Sequence, residues 1–175
     1  MKVLVTAFKP FNKATNNYSI EVLNYIDNVE KRIIDVVYDE CYYCLKEELD
    51  LNSYDLIIAL GEARSRSELT LEVQAINKSS CTIADNKGVY KVDEEIYPGE
   101  SQVIKTKVNV ELCKDLVSFS DNCGKYVCNN LYYHLLRNYP DKSLFIHIPN
   151  CNDDEKMYKN IAHMIKKIIN ILQNC

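Results

Sequence analysis

The 175-residue chain lacks any stretch approaching the roughly 18 consecutive apolar residues of a membrane-spanning helix. Its opening run from Met1 to Phe8 is too short for the core of a secretory leader and is interrupted by Lys9-Pro10. The expectation is a cytoplasmic protein with no membrane partner. A basic surplus is missing as well: 21 Lys and Arg stand against 25 Asp and Glu, a formal net charge of −4. Binding to a phosphate backbone needs clustered cations, so no nucleic acid is expected. Internal repeats, low-complexity segments and Pro/Gly/Ser-rich linkers are absent, which points to one domain over residues 1–175. A second C-x-x-C or an H-x-x-x-H is lacking too, so Cys41-Tyr-Tyr-Cys44 has half the ligands of a structural zinc site. Tyr38-Asp39-Glu40 separates that motif from the preceding strand, against a thioredoxin-like reading. Cys41 and Cys44 are read as half-buried helix thiols, and no metal or cofactor is expected. With no leader, all eight cysteines are read as free thiols.

What is present is an alternation of two periods. Residues 2–7, 31–37, 55–60 and 143–148 are short β-branched or apolar runs, as strands buried on both faces require. Between them come helical spacings: Ile20, Leu23 and Ile26; Cys41, Cys44, Leu45 and Leu49; Leu131, Leu135 and Leu136. A stripe from Tyr158 through Ile161, Ala162, Ile165, Ile168 and Ile169 to Leu172 marks a long last helix. The pattern predicts an α/β fold with a largely parallel central sheet between helical layers. Residues 69–104 depart from it, with Leu69, Leu71, Val73 and Ala75 alternating and turns at Asn86-Lys-Gly88 and Pro98-Gly99, and are read as a β-rich excursion.

Three segments carry chemistry. Phe119 to Asn129 reads as a strand, a turn at Gly124 and the opening of a helix running to about Asn138. Cys128 then falls in the first helical turn, where free N–H groups and the helix dipole would lower its pKa and could hold an oxyanion. A buried structural cysteine is the plain alternative for this segment alone. His147, in Phe145-Ile-His-Ile-Pro149, sits at the carboxyl end of an apolar strand. The strand before Cys128 would bring the thiol to a neighbouring carboxyl edge, so a Cys–His pair is expected. Only three histidines exist, and His134 and His163 fall within helical patterns. A carboxylate should orient the imidazole; Glu72, flanked by apolar residues, is the choice and Asp85 the runner-up.

Taken in order, these segments resemble pyroglutamyl peptidase I, a cysteine peptidase family. Leu4-Val-Thr-Ala-Phe8-Lys-Pro-Phe11 is similar to its Gly-Phe-x-Pro-Phe loop, with Ala7 for glycine. Gly61-Glu-Ala63 with Arg66, Glu72 with Ala75-Ile-Asn77, and Asp85-Asn86 follow. Gly124-Lys-Tyr-Val-Cys128-Asn129 resembles the nucleophile motif, and Phe145 to Pro149 the histidine motif. The resemblance implies a three-layer α/β/α sandwich, a Glu72–Cys128–His147 triad and removal of N-terminal pyroglutamate from peptides. It also implies a homo-oligomer, commonly a tetramer. Phe8 and Phe11 would bind the flat lactam ring, with Tyr126 and Val127 beside them. The chain departs from the family pattern at Asn12-Lys13, where two glycines are usual, and at Glu62, Arg64-Ser65 and Thr82. Asn12 and Lys13 should restrict a loop that glycine would leave free to adopt positive φ. Two other readings compete: a binding protein on the same fold that has lost turnover, and a thiol redox or metal protein using Cys41 and Cys44.

Overall fold

In a computed structural model, which describes residues 1–174, the apolar runs meet in one central sheet. The elements are β1 (Val3–Phe8), α1 (Tyr18–Asn24), β2 (Glu30–Ile34), α2 (Glu40–Glu48), β3 (Leu56–Glu62), β4 (Thr70–Glu72), β5 (Gln74–Ile76), β6 (Val103–Lys105), β7 (Ser118–Ser120), α3 (Val127–Asn138), β8 (Ser143–Ile148) and α4 (Glu155–Gln173). The sheet runs β2-β1-β3-β8-β4-β7. Its first four strands are parallel, β4 is antiparallel to β8, and β7 is parallel to β4. Because side chains alternate along a strand, the two faces have separate cores. Val5, Ile58 and Ile146 pack with α1 and α4, whereas Leu4, Ile57 and Phe145 pack with α2 and α3. This is the expected α/β/α sandwich. Among the described residues no helix is long and apolar enough to cross a membrane.

Three local expectations change. The run 31–37 is not a strand buried on both faces: β2 ends at Ile34, lies at the sheet edge and leaves Ile33 50% exposed. Val36 and Val37 are apolar because they are buried beyond the sheet, where the Val36 carbonyl accepts the Asn86 N–H. The excursion begins later than Leu69, since β4 belongs to the main sheet and only β5 leaves it, to pair with β6. Residues 77–102 are mostly irregular, with one bridge between Ser79 and Glu94. In α2, Cys41 is buried and Cys44 exposed, so the two thiols are not alike half-buried: Cys41 shares the inner face with Leu45.

Two asparagines fasten α3 in place. The Asn129 side chain accepts the Ile76 N–H and donates to the carbonyls of Ile76 and Lys78, each at 2.9 Å. Asn130 accepts the Asp39 N–H and donates to the Asp39 carboxylate, both at 2.8 Å. Both amides are fully buried and fully used, so the helix start is held to β5 and to the opening of α2.

Candidate active site

The site is built on the sheet face that carries α2 and α3. Phe145 and His147 point to that face from β8, and Gly61 on β3 lies beside His147 in register. Glu72 on the antiparallel neighbour β4 is opposite Phe145, two residues along from His147, so its carboxylate reaches the imidazole. Glu72 Oε1 accepts a hydrogen bond from His147 Nδ1 at 2.7 Å, with Glu72 0% and His147 5% exposed. An ionised carboxylate only accepts, so Nδ1 carries the proton and Nε2 keeps its lone pair. Arg66 Nη2 approaches the same Glu72 oxygen at 2.5 Å and donates to the Asn122 carbonyl, tying β4 to the loop before α3. Tyr132 donates to the Glu72 carbonyl at 2.8 Å. The second carboxylate oxygen, Oε2, is buried without a hydrogen-bond partner.

Cys128 is the second residue of α3, whose N-cap, Tyr126, supplies no capping side chain. Its route to the site differs from expectation: β7 is two strands away from β8 and runs opposite to it. The chain turns back through Gly124, at φ +80°, and α3 then lays the thiol over Gly61. A Cβ on residue 61 would lie 2.9 Å from Cys128 Sγ and 2.7 Å from the Phe145 ring. Gly61→Ala is therefore expected to lower stability by about 1–3 kcal/mol and to displace the thiol. Thermal unfolding would check the first effect and reactivity of Cys128 the second; an alanine variant with parental stability would contradict the packing argument.

Burial, followed by the nearby Glu72 charge, pushes the Cys128 thiol up to about 12. The lowering expected from the helix N-terminus is thus outweighed. Burial also lowers the His147 pKa, against the opposing pull of Glu72. At neutral pH the cavity they share thus holds a protonated thiol and a neutral imidazole, so the proton must move as the sulfur attacks.

Phe8, Phe11, Tyr126 and Val127 line one cavity of about 140 Å³ together with Cys128 and His147. The Phe11 and Tyr126 rings lie 5.7 Å apart, and the Tyr126 hydroxyl donates to the Ala84 carbonyl at 2.8 Å. Glu62, expected at the pocket rim, and Asn17, Val36 and Cys123, which the sequence did not single out for it, complete the wall. The polar ones are occupied: Asn17 caps α1 through the Ser19 N–H, while Glu62 accepts from the Tyr18 N–H and from Arg64. Asp85 is not the orienting acid. Its carboxylate is spent on the N–H groups of Tyr38, Lys87 and Val89. His134 is buried and stacked on Tyr42, and His163 is exposed.

A family model for pyroglutamyl peptidase matches residues 1–169. The chain belongs to the pyroglutamyl peptidase family. The pyrrolidone-carboxylate peptidase of Thermosipho africanus is 32% identical, covering 99% of this chain and 92% of that protein. Pyrrolidone-carboxylate peptidase 1 of Caldanaerobacter subterraneus is 35% identical, covering 96% and 94%. The crystal structure of the Fervidobacterium islandicum pyrrolidone carboxyl peptidase superposes with a TM-score of 0.87, covering 99% of each chain at 24% identity, which shows the shared fold.

Within this family member the substituted pocket rim is not restricted as the sequence suggested. Asn12 and Lys13 both adopt positive φ, 48° and 61°, in a turn closed by the Ala14 N–H on the Phe11 carbonyl. Asn tolerates that region and Lys13 takes it at roughly 1–2 kcal/mol, so the loop persists under local strain. Arg64 stacks over Tyr18 at 4.5 Å and bonds Glu62 and Asn16, bracing the same loop. Ser65 and Thr82 are exposed and leave the cavity wall unchanged.

Proposed function

We propose that this chain is a cysteine-type omega peptidase that removes an N-terminal pyroglutamyl residue from peptides through a thioester. The observation that carries this reading is the buried Glu72–His147 pair, whose imidazole lines a largely apolar cavity together with Cys128 at a helix start. His147 Nε2 takes the Cys128 proton as Sγ bonds to the pyroglutamyl carbonyl carbon. The C–N bond then breaks, and His147 returns the proton to the leaving amine. Water, deprotonated by the same nitrogen, cleaves the thioester. Glu72 stabilises the transient imidazolium, and Arg66 steadies Glu72. First-turn N–H groups of α3 would hold the oxyanion, since no side chain caps them. The uncharged lactam suits the faces of Phe8, Phe11, Tyr126 and Val127, with backbone groups meeting its N–H and C=O.

The wider setting follows from the same chemistry. An oxidisable nucleophile in a chain of eight cysteines fits a reducing cytoplasm. A net charge of −4 favours peptides over nucleic acid. Residues 1–175 act as one domain, and the protein works as a homo-oligomer, consistent with exposed Tyr90 and Val92.

The deciding experiment is hydrolysis of a fluorogenic pyroglutamyl amide by reduced protein, with the prolyl amide as control. Turnover of the pyroglutamyl substrate alone is expected; a folded, reduced and inert protein would overturn the proposal. The pH profile adds a sharper check. His147 works only as the neutral base and its pKa lies below 6.5, so activity should fall as pH drops through a midpoint under that value. The thiol stays protonated to about 12, so its ionisation adds no alkaline limb. A kcat/KM acid limb centred well above 6.5 would contradict the assignment of His147.

A further inference from the structure

Cys123 takes no part in the reaction above, yet its thiol lies against the orienting pair. One donor atom from each of Glu72, Cys123 and His147 falls within 4.8 Å of the others, and all three residues are buried. Among the described residues no other such group of His, Cys, Asp and Glu occurs. A second observation points to a ligand there: Glu72 Oε2 is fully buried and has no hydrogen-bond partner. Buried carboxylate oxygens are rarely left so, and this one lies in the residue that belongs to the cluster.

We propose that Glu72, Cys123 and His147 form an inhibitory binding site for a zinc-type divalent cation. The donor set selects the metal. Thiolate, imidazole and carboxylate together suit zinc, whereas calcium and magnesium require oxygen ligands. Ligands at about 2.0–2.3 Å from a tetrahedral centre sit roughly 3.3–3.8 Å apart, so the cluster needs to contract by about 1 Å at its widest. Cys123 and His147 both line the cavity, which gives the ion its entry, and Cys128 on the same wall or a water completes the coordination. On binding, the Cys123 S–H bond breaks and its proton passes to solvent, so thiolate and carboxylate together balance the two positive charges. Arg66, ion-paired with the Glu72 carboxylate, opposes the ion, which keeps binding reversible.

Inhibition follows whichever ring nitrogen coordinates. If Nε2 binds the ion, the lone pair that accepts the Cys128 proton is gone. If Nδ1 binds it, the ring proton moves to Nε2 with the same result. The ion therefore disables the base without needing the nucleophile.

Cobalt(II) alone, added to the Cys128→Ser protein under a phosphine reductant, should give one equivalent of thiolate-to-metal charge-transfer absorption, displaced by zinc. Adding Cys123→Ser should abolish that band. In the Cys128→Ser background, zinc should also raise the melting temperature only where Cys123 is present, a comparison that reports directly whether each variant is folded. On active protein, Cys123→Ser should raise the zinc concentration for half-inhibition at least about tenfold, each protein referred to its own metal-free rate. A band that survives Cys123→Ser, no band in Cys128→Ser, or unchanged zinc sensitivity would overturn the proposal. The two binding measurements need no turnover, so they stand or fall apart from the peptidase reading.

Discussion

Replacing Cys128 by alanine should reduce hydrolysis of a pyroglutamyl amide by about ten-thousand-fold or more, with the fold intact. The loss is large because the sulfur forms the bond that every later step depends on. The fold should survive because little else depends on that atom. Sγ rests on Gly61, which has no side chain to lose contact with, and the start of α3 is held by Asn129 and Asn130. Cys128→Ser keeps the size of the side chain and should be nearly as inactive, since His147 is a neutral base of lowered pKa and serine is a far weaker acid than the thiol. Circular dichroism and thermal unfolding of both variants, beside the rate measurement, make the comparison; a Cys128→Ala protein with parental turnover would remove Cys128 from the mechanism.

The second large effect concerns the base and its partner. His147→Ala should cost about a thousandfold to ten-thousandfold in kcat/KM, because proton removal from a thiol held near 12 would fall to water. Glu72→Gln should cost less, about a hundredfold to a thousandfold, because Glu72 orients the ring and does not carry the proton. The two should differ in stability in the reverse order. A neutral amide in place of the Glu72 carboxylate would leave the Arg66 guanidinium without its counter-charge in a largely buried setting, worth about 3–5 kcal/mol when a buried pair is broken. Equal kinetic losses, or a glutamine variant as stable as the parent, would contradict this division of roles.

Much of the framework was legible in the sequence, for reasons that also explain the misses. β1, β3 and β8 lie inside the sheet and are covered on both sides, so their apolar runs have no competing explanation. α4 has one buried stripe, and its period survives intact. Val36 and Val37 misled because burial beneath a loop selects the same residues as burial in a strand. The alternation from Leu69 to Ala75 gives no sign that the chain changes sheets after Glu72, since side-chain period records which face is inside and not which strand is the neighbour. Glu72, Cys128 and His147 stood out through motif and residue type. Cys123 did not, because its approach to Glu72 depends on where β7 is placed and how Gly124 turns the chain. The raised thiol pKa was equally invisible, as it depends on how deeply α3 settles onto the sheet.

The Asn129 amide has a consequence beyond anchoring. By accepting from Ile76 N–H and donating to Ile76 C=O, it presents β5 with the donor and acceptor that one peptide unit of an adjoining strand would offer. β5 pairs with β6 on one side, so this single side chain stands in for a missing strand on the other. A short two-stranded ribbon with an open edge is a template for pairing between molecules. The residue next to the nucleophile thus also guards the chain against self-association through β5, and a change made there to tune catalysis would reopen that edge.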